Sequence, residues 1–359
     1  MKRNYFNMHD SGVLYLLYLI VSLLLSSIVS VICQNTGLNS NNEYYSILLL
    51  ALNQMAILIA FFGYTKVAKI NFVEAINIKN KPTVKQSFVA VAIAISSMIA
   101  FLPIAYLFLY LLSLGGFNVV EPIKIPTSAG GIICGLIFAV IMPAILEEFI
   151  YRGAVLNGLK QRSYLFSIIM TSLIFSLSHG NAVQTVHQFL ASIVICMIVL
   201  YGDSIWYGII AHFTNNLVSF IFYFIPLDLD KLGYYNILLG ISMFIVGMIL
   251  LSILIKLFKQ QAKDKINGLE GVIDVYPNGK FRYILSSIYD TSTKFFRCIV
   301  SSEDRRNCKE HFEEEVGFLD KEYHEQESVM GKSTNVSLIV IGVVLVLAVM
   351  WIVSLIQGF

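Results

Sequence analysis

Eight stretches of this chain contain no Asp, Glu, Lys or Arg: residues 11–33, 44–65, 86–120, 125–146, 163–202, 204–227, 232–255 and 335–359. Each exceeds the roughly 18 apolar residues that separate a membrane-spanning helix from a buried helix of a soluble protein. Stretch 163–202 is too long for one crossing and carries Gly180-Asn181 near its middle, so it counts as two. Nine spans are expected. In lipid the backbone must satisfy its own polar groups, and these runs lack the two-residue alternation of a barrel strand, so the spans are helices. The expected fold class is an all-α polytopic membrane protein: a bundle of about eight helices, a polar insert, and a ninth, C-terminal transmembrane helix.

Composition narrows the function. The chain is 57% hydrophobic and 13% charged, about half the charged share of a soluble domain, which excludes an ordinary cytosolic enzyme. A net charge of +2 leaves no basic excess to neutralise phosphates, so no nucleic-acid partner is expected. Over half of the charged residues fall within 258–335. The expected organisation is therefore a helical membrane domain over 1–257, a polar insert over 258–335 and the last helix over 336–359. Pro277-Asn278-Gly279 suggests a hairpin at 272–285, and Glu313–Glu315 reads as a solvated helix face. Five scattered cysteines form no disulfide framework: Cys33, Cys134 and Cys196 sit in apolar runs, Cys298 and Cys308 in the insert.

Lysine asymmetry orients the bundle. Lys66, Lys69, Lys79, Lys81 and Lys85 follow the second span, Lys160 and Arg162 the fourth, and Lys256, Lys259, Lys263 and Lys265 the eighth. A nine-span count puts all of these on one side. The alternate loops hold only Lys124 and Lys231. The N-terminus and the insert are thus expected in the cytoplasm. The first run follows Lys2 and Arg3, as a secretory signal would. It is longer than a signal core, however, and Ile32 stands before Cys33 where a lipoprotein signal needs a small residue, so a retained helix is expected.

Ionisable residues inside spans are costly and by default functional. They concentrate in Leu146-Glu147-Glu148-Phe149-Ile150-Tyr151-Arg152-Gly153. Glu148 and Arg152 are four apart, on one helix face, and can neutralise each other. Glu147 points about 100° away and is left as the free carboxylate, a base in waiting. The plainer alternative is a structural ion pair with Glu147 at headgroup level. His179 closes Phe175-Ser176-Leu177-Ser178-His179, and His212 opens His212-Phe213-Thr214-Asn215-Asn216, which sets His212 and Asn216 one turn apart. Either histidine alone could be a packing residue; convergence of three polar sites on three spans points to chemistry. His187 is expected in an outer loop, as a bystander. His9, His311 and His324 lie in polar segments.

Depth tests this convergence. At about 1.5 Å per residue, Glu147 and His179 both come out some 22–26 Å from the basic turn near Arg162. The fourth helix must then continue past Arg152 toward Lys160, bent at Pro143. His212 comes out nearer roughly 14 Å by the same rise, which calls for a shorter or re-entrant sixth segment.

At these residues the chain resembles the CPBP family of intramembrane proteases, which comprises type II CAAX prenyl endopeptidases and bacteriocin-processing (Abi) proteins. The family pattern is Glu-Glu-x-x-x-Arg, then Phe-x-x-x-His, then His-x-x-x-Asn. Glu147 to Arg152, Phe175 to His179 and His212 to Asn216 match it in order, over roughly 130–220. The resemblance implies an endopeptidase in which Glu147 activates water and His179 assists. His212 and Asn216 would hold the oxyanion, and Glu148 and Arg152 would support the helix. It also implies a membrane-anchored or secreted peptide substrate and a bacterial plasma membrane. His179 and His212 with a Glu could hold Zn²⁺ with one open position, though the spacing does not require a metal. Two other classes remain: a non-catalytic bacteriocin immunity or scaffold protein that keeps the pocket, and a proton-coupled transporter. The transporter would need further charges along a path, and the sequence holds one cluster.

Overall fold

The computed structural model describes residues 2–36, 44–118, 125–160, 164–225, 235–267 and 338–358. The expected hairpin at 272–285, the acidic stretch, Cys298, Cys308, His311, His324 and loop residues Lys124, Arg162 and Lys231 lie outside the described residues. Among the described residues, nine apolar helices are present: α1 (Met8–Thr36), α2 (Tyr45–Val67), α3 (Val84–Leu114), α4 (Ala129–Leu159), α5 (Tyr164–Ser178), α6 (Ala182–Gly202), α7 (Ile205–Tyr223), α8 (Tyr235–Asn267) and α9 (Leu338–Gln357). The described residues form no strand, only an isolated bridge between Arg3 and Ile70. Eight of these helices are long and apolar enough to cross a membrane. The protein is an integral membrane protein.

The ninth helix in the count departs from the expected lengths. At 15 residues, α5 falls short of a full span. Gly180 ends it with φ +57°, a left-handed conformation that favours glycine. Asn181 then caps α6 by accepting a 2.8 Å hydrogen bond from the Val183 N–H. The break expected at Gly180-Asn181 is therefore where the chain turns. His187 is not in a loop, because α6 already begins at Ala182. α8 runs on to Asn267.

α4 continues past Arg152 as the depth argument requires, but with two π-helical segments, Leu136–Ile141 and Phe149–Leu156. Pro143 cannot donate to an α-helical ladder, and the first π segment lies just before it. More residues per turn means less rise per residue, so α4 climbs less than an ideal helix. The short sixth segment that the depth arithmetic called for is absent. α6 is a 21-residue helix, and the compression is in α4.

Hydrogen bonds gather the connections at two ends. At one end, Asn71 N–H donates to Arg3 C=O, the Ser11 hydroxyl to Ala154 C=O, Asn157 to Ala75 C=O, and Asn77 and Asn80 to Asp203. At the other, Tyr44 meets Ser128, and Ile125 N–H donates to Tyr223. Lys66, Lys69, Lys79, Lys81 and Lys160 belong to the first end. One large core joins α1, α2, α4, α5, α7 and α9, and a second joins α3, α6 and α8 with parts of α4, α5 and α7. The polar site lies between them.

Candidate active site

Two consecutive glutamates on α4 meet different surroundings. Glu148 is fully buried, and its Oε1 accepts a hydrogen bond from Arg152 Nη1 at 2.6 Å. The same Oε1 lies 2.8 Å from His212 Nδ1 on α7. A carboxylate can only accept, so Nδ1 carries the proton and, in the neutral ring, Nε2 presents a lone pair. The other oxygen, Oε2, has no hydrogen-bond partner among the described residues. It rests against Gly208, where an added Cβ would stand 2.5 Å away. A side chain at 208 would force Glu148 out of place, so α7 carries a glycine one turn before His212.

Arg152 is held from three sides. Besides Glu148, its Nη2 donates to Ser192 Oγ on α6 at 2.8 Å. Its guanidinium also lies over the Phe175 ring at 4.8 Å, a cation–π contact strengthened by desolvation. Phe175 is the hub of the site. Its ring meets Tyr151 at 4.9 Å, His179 at 4.9 Å and His212 at 5.6 Å, all near-perpendicular. One aromatic ring thus fixes both histidines and the arginine of three different helices.

Glu147 is the glutamate left facing outward. Its side chain keeps 14% of its exposure, and its Oε2 stands 3.9 Å from His212 Nε2. That gap is too long for a hydrogen bond and is of the kind a water bridges. His179 Nδ1 lies 2.8 Å from Phe175 C=O, so it donates there, and its Nε2 is also free to accept. Glu147 and His212 both lie within electrostatic range of His179. Asn216 is half-buried, one turn along α7 from His212. The structure therefore brings Glu147, Glu148, Arg152, His179 and His212 together, with Asn216 on the His212 face of the same helix. The described residues contain no group of three His, Cys, Asp or Glu side chains gathered to hold a metal ion. The possible zinc set of His179, His212 and a Glu is not among such groups.

Several contributors escaped the sequence reading. Tyr15 and Tyr18 on α1, with Tyr151, lie within electrostatic range of Glu147. Tyr151 donates to Ser178 Oγ at 2.7 Å, and Ser178 to Phe175 C=O at 2.7 Å. Tyr15 is 3.3 Å from the Tyr151 oxygen and, since the Tyr151 proton is committed to Ser178, must be the donor. A one-way chain so runs from α1 to the carbonyl that also receives His179. Ser192, in mid-helix on an apolar span, was the one readable signal for a buried partner. Nothing in the sequence separates these tyrosines from ordinary aromatic packing.

Residues 129–218 match the type II CAAX prenyl endopeptidase Rce1-like family. This region is a CAAX-protease domain of the CPBP family. It takes in α4 to most of α7, and hence Glu147, Glu148, Arg152, His179, His212 and Asn216; the family is one of peptidases. Tyr15 and Tyr18 come from α1, outside the CAAX-protease region. No curated protein and no solved structure matches the chain.

Proposed function

We propose that the chain is an intramembrane endopeptidase that hydrolyses a peptide bond of a membrane-anchored or secreted peptide. The observation that carries this reading is the division of labour between adjacent glutamates. Glu148 is neutralised by Arg152 and His212, while Glu147 stands 3.9 Å from His212 Nε2, close enough for both to hold one water beside them.

Glu147 takes a proton from a water as its oxygen attacks the scissile carbonyl. His212, locked by Glu148 in the Nδ1–H form, offers Nε2 to hold that water. His179, locked by Phe175 C=O, offers its own Nε2 for the proton that must reach the leaving amine. The Asn216 amide, on the His212 face, donates to the oxyanion. No step is routed through a metal. The N-terminus and the polar insert are assigned to the cytoplasm on the lysine distribution, the membrane to a bacterial plasma membrane on the family resemblance, and the insert to an accessory role.

A retired site kept for immunity or scaffolding has no physical need for a carboxylate left unpaired beside two oriented histidines. The test is membrane proteomics of cells carrying wild type or Glu147→Ala. Precursors that accumulate in the variant are expected. An unchanged membrane proteome would remove the peptidase reading.

A further inference from the structure

We propose that the seam between α1 and the α5–α6 turn is where the membrane-spanning helix of a substrate docks, and that α9 is its resident occupant, which must yield. The inference rests on the peptidase reading above and names its substrate class: a protein anchored by a single apolar helix.

α9 lies along this seam. Its first residues meet α1 at Gly12, where an added Cβ would stand 2.9 Å from Ile339 Cγ2. Val340, Val343 and Leu347 form one narrow buried stripe, while Leu338, Leu345, Val349, Val353 and Ile356 remain exposed on the other faces. Further along, Trp351 Nε1 donates to Thr185 Oγ1 at 2.7 Å, and Thr185 Oγ1 donates to Asn181 C=O at 2.8 Å. Asn181 caps α6 two residues after His179. The far end is tied by Asn118 N–H to Gly358 C=O at 2.8 Å.

What α9 covers is the flank of the site. On the α1 side, Tyr15 meets the Tyr151 hydroxyl, and the Tyr151 ring packs on Phe175, which also holds His179; on the other side, the α5–α6 turn carries His179 itself. Behind α9 the seam is closed by the Tyr15–Tyr151–Ser178 hydrogen bonds, and the first of these is the longest, at 3.3 Å. Lipid tails are as apolar as α9, so no hydrophobic force holds a helix on such a face. Close packing on a small residue and a few hydrogen bonds do. A second apolar helix of similar length can make the same contacts. The face accordingly suits a single membrane helix and gives it a path to Glu147 and His179.

The test locks α9 in place. In the full chain, with the five native cysteines replaced by serine, Gly12→Cys and Ile339→Cys bring two sulfurs together, since an ideal Cβ at residue 12 is 3.2 Å from Ile339 Cβ. Two substrates are followed in vesicles: a membrane-anchored precursor that accumulates in Glu147→Ala, and a soluble peptide spanning its cleaved bond. The oxidised protein is expected to lose precursor cleavage to the Glu147→Ala level, to keep peptide cleavage, and to recover fully on reduction. Unchanged precursor cleavage, or equal loss of both substrates, would overturn the proposal. Trp351→Phe, which keeps the packing and removes the hydrogen bond, is expected to speed precursor cleavage; an equal or slower rate counts against it. If neither substrate is cleaved in a Glu147-dependent way, the peptidase reading fails, independently of the lock.

Discussion

The interior around α4, α5 and α7 and the flank where α9 meets α1 sit in the same apolar bundle but are held together differently. In the interior, a fully buried ion pair, a histidine and a stacked phenylalanine interlock, so that each polar group depends on the next. On the flank, a stripe of valines and one leucine is pinned by single hydrogen bonds at two points. Burial of charge makes the first arrangement unforgiving, because a lone ion left in lipid or protein is far costlier than a lost contact. Absence of charge makes the second replaceable. A site that must keep atoms in register belongs in the first kind of region, and a helix that must move belongs in the second.

Substitutions should reproduce this ranking in unfolding measurements on purified protein in detergent. Arg152→Met is the most damaging expected, at about 3–5 kcal/mol, because it strands Glu148 without a counter-charge. Adding Glu148→Gln to it should recover much of the loss, and a purely additive double variant would mean that the pair is not what holds α4. Gly208→Ala comes next, with about 1–3 kcal/mol from forcing a methyl against Glu148 Oε2 and Val199. Activity should fall more steeply than stability, since Glu148 also orients His212. Tyr151→Phe should cost about 0.5–1.5 kcal/mol by removing one donor from the α1–α5 chain. Trp351→Phe should be the mildest, near ~0.6 kcal/mol, the usual worth of a hydrogen bond between membrane helices. A flank substitution that outweighed Arg152→Met would erase the distinction.

Much of this was legible in the sequence because lipid punishes charge. The charge-free runs marked the helices, and the same rule exposed Glu147, Glu148 and Arg152, with their four-residue spacing predicting the buried pair. Gly180-Asn181 announced its turn through backbone conformation and capping. What stayed hidden was whatever leaves no periodic trace. The two π segments of α4 have no composition of their own, so the depth arithmetic set Glu147 too deep relative to His212 and blamed α6. Tyr15, Phe175 and Ser178 matter through the directions of their rings and hydroxyls, and those directions are set by neighbouring helices far away in sequence. His187 was assigned to a loop because the length of the α5–α6 connection could not be read from an unbroken apolar run.

Glu147 as the water-activating base is tested most directly by the cleavage rate of an accumulated precursor by purified Glu147→Gln protein in vesicles. The substitution keeps the shape and removes the charge, and the Glu148–Arg152–His212 core should keep the variant folded. The expected result is a loss of at least about a hundredfold, the usual contribution of a positioned general base. A folded Glu147→Gln protein that cleaves as fast as wild type would contradict it.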